Sequence, residues 1–184
     1  MNKVMAAIAL VVAVLASTLL GVGGTATAEA AVTTRSWSKT VVYVYDMTAK
    51  LHTSDGSAVW AVSAAAERWD NGNPIDFRYT TKGCPANAQC VIVKQAELAA
   101  PTVGVTSIAF VGSDIKAVTI TLDTTFGRTN NAARRRNVIC HELGHSLGLQ
   151  HRTQKSSCLT SYASDQKYPD ATDVKNLNTM YRGK

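Results

Sequence analysis

The sequence predicts an α+β domain, a mixed β-sheet backed by two helices and followed by a short C-terminal helix. Three observations carry that prediction. Runs of β-branched and aromatic residues recur along the chain, bounded by Gly, Pro, Asn and Asp. Longer segments instead place apolar residues at helical steps. The two kinds follow one another as β-α-β-β-β-β-α-loop-α, with no internal repeat or low-complexity linker, which suits one mixed sheet with backing helices.

The elements follow in chain order. Lys39–Asp46, "KTVVYVYD", is β-branched and aromatic between polar residues and reads as a strand. Ser57–Gly72 reads as a helix, with Val59, Val62, Ala66 and Trp69 on its apolar side and Asp70-Asn71-Gly72 as its stop. Ile75–Thr81 alternates and reads as a strand, and Cys90–Gln95 as another. Thr102–Gly112 is a strand with polar interruptions, and Lys116–Phe126 is the clearest strand of all. Asn130–Leu149 is a helix capped by Thr129 or Asn130. The tail "YPDATDVKNLNTMYR" opens with a proline and a capping aspartate and forms a last helix, with Val174, Leu177 and Tyr181 on one face.

The N-terminus stands apart from this plan. Lys3 is its only early charge, and an uncharged, mostly apolar run extends from Val4 to Val22. Glycines follow at 21, 23 and 24, and small residues at alternate positions offer cleavage after Ala28 or Ala30. This is the layout of a secretory signal peptide. The run is nearly long enough to span a bilayer, but the small-residue site directly behind it favours removal over retention as an anchor. The expected division is therefore a signal peptide at 1–30 and a single domain at 31–184, long enough for a real core.

The formal net charge of +6 is untouched by that cleavage, which removes one basic residue, Lys3, and one acidic residue, Glu29. The only charge run is Arg134-Arg135-Arg136, and no aromatic residue interleaves it, so no nucleic-acid partner is expected. All four cysteines (Cys84, Cys90, Cys140 and Cys158) lie beyond the signal peptide. An even count in a secreted chain implies disulfides, with three connectivities open. The local pairs Cys84–Cys90 and Cys140–Cys158 are favoured, the CxxC spacing of cysteine zinc sites being absent.

The chemistry concentrates in "CHELGHSLGLQHRTQKSSCLTSY", Cys140–Tyr162, which contains three of the four histidines. His141 and His145 are four residues apart and share one helix face, where both can reach one ion. Gly148 has no Cβ, so it can end the helix with positive φ and turn the chain back, bringing His151 to the same ion. Three neutral imidazoles around zinc leave a fourth tetrahedral position open for water, as in a catalytic site. Glu142 projects beside the ligand face, where its carboxylate can take a proton from zinc-activated water and pass it to a leaving amine. No glutamate occurs after Glu142, so His151 is a better third ligand than any later carboxylate. The fourth histidine, His52, sits in "KLHTSDG" and reads as a surface residue.

HELGHSLGLQH resembles the extended zinc signature of the metzincins. Compact size, secretion and flanking cysteines resemble the small matrixin-like or snapalysin-like metalloproteases of actinobacteria. The resemblance covers the chain from about Lys39 onward, but only the zinc motif is specific; the rest is agreement of order. It implies a metzincin-like twisted sheet whose edge strand, here Thr102–Val111, pairs with an extended peptide. It also implies a zinc helix, a methionine-bearing turn and a final helix, with endopeptidase activity.

Two departures matter. Snapalysins take an aspartate as third ligand, and His151 places this chain with the matrixin type. The turn methionine is also absent, since the four methionines are Met1, Met5, Met47 and Met180. Within "SSCLTSY", Leu159 stands at the methionine place, with Thr160 as runner-up; leucine is a volume-conserving replacement for that apolar floor. A tyrosine near this turn often helps stabilise the transition state in the family, so Tyr162 either donates to the oxyanion or packs. A Cys140–Cys158 bridge would close the loop carrying His151. With no long pro-segment and no spare cysteine near the N-terminus to cap the zinc, no cysteine-based latency is expected.

The sequence thus predicts a secreted, extracellular, monomeric zinc endopeptidase acting on peptide or protein substrates, with no stable membrane anchor after cleavage. The zinc ligands are His141, His145 and His151; Glu142 is the general base and Tyr162 a candidate helper. The alternative is a non-catalytic secreted binding protein that retains a zinc-stabilised fold, against which the intact Glu142 argues. Asp114 or Asp123 could contribute to a calcium site, but lone aspartates more often serve turns, and none is assigned.

Overall fold

A computed structural model describes residues 35–161 and 164–184. The expected signal peptide lies outside the described residues, as does Tyr162. Five strands form one sheet: β1 Val41–Asp46, β2 Asp76–Thr80, β3 Cys90–Ala96, β4 Gly104–Val111 and β5 Asp114–Asp123. Their order across the sheet is β2-β1-β3-β5-β4. All neighbours are parallel except β4, which returns antiparallel on β5 through a tight hairpin. The mixed sheet read from the sequence is therefore present, with β2 and β4 as its two edges.

One face of the sheet is covered by helices. In β1 the side chains alternate, with Val42 and Val44 buried and their neighbours half-buried. Val91 and Val93 of β3, and Val118, Ile120 and Leu122 of β5, point the same way into the core, as the period-2 geometry of strands requires. Against them pack α1, Val62–Trp69, and α3, Ala132–Ser146. The final helix α4, Ala171–Met180, is capped by Asp170, which accepts from Thr172 N and Asp173 N, while Asp173 caps back.

Several strand ends shift by one or two residues from the sequence reading, and the larger changes at the helices and at the end of β5 have local reasons. α1 starts at Val62 rather than Ser57, because residues 51–59 are tied into a loop: Val59 N donates to Leu51 O and Thr53 N to Ser57 O. Strand β5 stops at Asp123 rather than Phe126. The Asp123 carboxylate accepts from Phe126 N at 2.6 Å and starts an unanticipated short helix, α2, Thr124–Thr129. That helix takes Asn130 as its C-terminal cap, so the cap of α3 moves on from Thr129 or Asn130 to Asn131, whose side chain accepts from Arg134 N. Finally, α3 ends at Ser146, short of Leu149.

Three tryptophans anchor the core, all essentially fully buried, and each indole N–H is satisfied. Trp37 donates to Ser146 O, Trp69 to Cys140 O and Trp60 to Gln95 Oε1. Each indole removes roughly 200 Å² from water, and the paired N–H avoids the cost of a buried orphan donor. Two of the three thereby grip α3. Both favoured disulfides are formed, Cys84–Cys90 and Cys140–Cys158.

Candidate metal centre

Helix α3 presents His141 and His145 on one face, one turn apart. Its end is built by Gly148, whose φ of +89° is open to glycine without strain. Gly148 N donates to His145 O and Leu149 N to Gly144 O, the paired bonds of a Schellman turn. The turn also orients one of the candidate ligands, because the Leu149 carbonyl accepts from Nδ1 of His145 at 2.8 Å. Nδ1 of His141 donates to the carbonyl of Cys158 at 2.9 Å, the residue that Cys140 holds by disulfide. The bridge therefore positions the acceptor that orients the first histidine.

These two anchors decide the tautomers. A carbonyl can only accept, so each Nδ1 carries the proton and each Nε2 presents a lone pair. The Nε2 atoms then converge: His145 lies 3.0 Å and His151 3.1 Å from Nε2 of His141. Two lone pairs at that distance repel unless a cation lies between them. Nitrogens 2.0–2.1 Å from a tetrahedral zinc stand about 3.3 Å apart, so the donor set fits that ion. Burial, and then the charge His141 would carry, pushes His145 down to about 4. Burial likewise lowers His141. Both are thus neutral and ready to ligate at pH 7. Among the described residues this is the only cluster of three potential metal-binding side chains.

Glu142 is buried beside the triad at the wall of a cleft of about 450 Å³ that also reaches His141 and His151. Burial raises its carboxyl above the usual range, while the Thr106 hydroxyl and the neighbouring imidazoles work in the other direction. Thr106 Oγ1 donates to Glu142 Oε2 at 2.6 Å. Two residues earlier on β4, Gly104 leaves the room the carboxylate needs: a Cβ there would stand 2.8 Å from Oε1 and 2.9 Å from Val138. The edge strand thus holds the candidate base in place. Pro101, Val103, Phe126 and Val138 supply apolar cleft wall, and Thr160 and Ser161 also line it.

The structure brings together four of the five candidate site residues, His141, His145, His151 and Glu142. Tyr162 falls outside the described residues. Leu159 is fully buried under α3 against Gly144, whereas Thr160, also buried, lines the cleft. His52 is exposed, away from the triad. Asp114 pairs with Lys116, and Asp123 accepts from Leu98 N besides capping α2. Thr106, Gly104 and Arg152 escaped the sequence reading. No spacing rule links β4 to Glu142, and Arg152 reads as an ordinary surface cation until its burial is seen.

The matrixin family, Peptidase_M10, matches residues 36–182. Among solved structures, the chain is similar to one in the "GM1 bound form of the ECX AB5 holotoxin". The TM-score is 0.52 at 15% identity, over 78% of this chain and 80% of that one. At that identity the likeness is one of fold alone. No curated protein matches the chain.

Proposed function

We propose that this chain, which belongs to the matrixin family of metallopeptidases, is a secreted zinc endopeptidase with His141, His145 and His151 as ligands and Glu142 as general base. The observation that carries the reading is the convergence of three Nε2 atoms, two of them held as lone-pair donors by carbonyls, beside a buried carboxylate in a cleft. When bound, zinc supplies a Lewis acid that polarises the scissile carbonyl and acidifies water.

The chain's own residues do the rest. Glu142, made more basic by burial, accepts the proton of the attacking water and returns it to the leaving amine. Thr106 occupies one carboxylate oxygen and leaves the other for that proton. A peptide pairs with the free edge of β4 and lies extended across the cleft. Tyr162, two residues past Thr160, is proposed to donate to the developing oxyanion. Two disulfides suit an oxidising compartment. Among the described residues no helix is long and apolar enough to cross a membrane. Processing after Ala28 or Ala30 would release a single domain.

Casein hydrolysis by the processed protein tests this. Activity is expected to disappear with a chelator and return with zinc. Glu142→Ala should lose at least about 100-fold in turnover while still binding zinc, and Thr106→Val about 10-fold. Equal turnover by Glu142→Ala would overturn the assignment of the base.

A further inference from the structure

We infer that Arg152 is a positioning residue for His151, fixing the third metal ligand through a buried ionic latch to helix α4. The inference rests on the zinc-site reading above. The three ligands are not held alike. His141 and His145 are oriented through Nδ1 by the carbonyls of Cys158 and Leu149. His151 is exposed, and among the described residues its Nδ1 has no partner. Its ring must be aimed by its backbone, and the next residue pins that backbone on both sides. Arg152 N donates to Leu159 O at 2.8 Å, and Ser161 N donates to Arg152 O at 3.3 Å.

The Arg152 side chain turns inward, only 2% exposed. Its Nη1 donates to the carboxylates of Asp170 and Asp173, the latter at 2.9 Å. Asp173, fully buried, also accepts from Ser157 Oγ at 2.6 Å and from Asp170 N at 2.8 Å. Ser157 Oγ in turn accepts from Leu159 N at 2.9 Å. Ser156 completes the ring by donating to Asp170 at 2.7 Å. One guanidinium therefore joins the segment after His151, the turn at Leu159 and the capping box of α4. Burial disfavours the charge on Asp170, but its bonds from Ser156, the Asp173 amide and Arg152 outweigh that and hold its carboxyl below the ordinary value. Nε of Arg152 is buried without a partner, a cost accepted within a network that fixes geometry.

Removing Arg152 alone would strand a buried carboxylate, so the test removes charge in pairs. Replacing a buried ion pair with apolar residues often leaves stability unchanged. The variants are Arg152→Met with Asp173→Leu, and Arg152→Lys, which keeps the charge but not the planar guanidinium, whose Nη1 reaches both aspartates while Nη2 reaches Gln154. The readouts are zinc affinity by competition with a chromogenic chelator and the visible spectrum of the cobalt-loaded protein. A folded double variant is expected to bind zinc about 10–100-fold more weakly, with an altered cobalt spectrum. Affinity within twofold of wild type would overturn the inference. Should the double variant unfold, Arg152→Lys decides: a loss of about tenfold or more supports the latch, and unchanged affinity overturns it. Failure of the wild-type protein to bind zinc would instead overturn the metal centre itself.

Discussion

At the scale of single residues, the site is a set of opposed protonation preferences. In the metal-free protein His145 stays neutral down to about pH 4, whereas in the unfolded chain it takes a proton near 6.5. Between those values the unfolded state binds the extra proton. The stability His145 contributes is therefore complete above pH 6.5 and is lost as the pH falls to about 4. Glu142 has the opposite sign. Its carboxyl is raised above 4.5 by burial, so its contribution is complete below that value and is lost as the pH rises through the folded value. Glu142→Gln removes the opposing contribution. Urea unfolding of metal-free Glu142→Gln should then show a loss between pH 6.5 and 4.5 on the order of 2 kcal/mol larger than in the same protein carrying His145→Asn. Identical losses would mean that His145 is not held neutral by burial. The candidate ligands, which the structure brings together, could be named from the sequence because the motif is local: spacing on one helix and a glycine three residues past His145. Thr106 was not legible, because a hydroxyl on an edge strand meets Glu142 only through the fold.

At the scale of elements, α3 works because its neighbours approach it closely. A Cβ on Gly144 would lie 2.7 Å from Leu159 Cδ2 and 2.7 Å from the Trp69 ring. Alanine normally gains roughly 1 kcal/mol over glycine inside a helix. Here Gly144→Ala is expected to cost a net 1–3 kcal/mol, approximately, because two buried side chains must move. Leu159→Met, which keeps the volume, should cost less than about 1.5 kcal/mol and leave zinc binding nearly unaltered. Thermal unfolding of both variants checks the contrast; a Leu159→Met protein more damaged than Gly144→Ala would refute the packing argument. Strand and helix types were readable from periodicity, but several boundaries were not. Asp123 looks like the continuation of a β-branched run, and its role as a helix cap depends on the amide of Phe126 folding back to meet it.

At the scale of the whole molecule, the start and end of the described domain meet behind the site. Tyr181 donates to Leu147 O and accepts from Trp37 N, while Lys184 donates to Trp37 O. The end of α3, where the chain turns toward His151, is thus braced by both ends of the domain. The order of elements was enough to predict a mixed sheet. The strand order β2-β1-β3-β5-β4, which makes β4 the open edge beside Glu142, was not, because pairing between distant segments leaves no mark in any one of them. On the proposed reading, this architecture assembles one zinc-binding centre from three histidines. Elemental analysis of the purified wild-type protein and of His141→Ala, both dialysed against micromolar zinc, tests it most directly. One zinc per wild-type chain and almost none in the variant is the predicted result; a wild-type protein without zinc, or a variant that retains it equally, would contradict it.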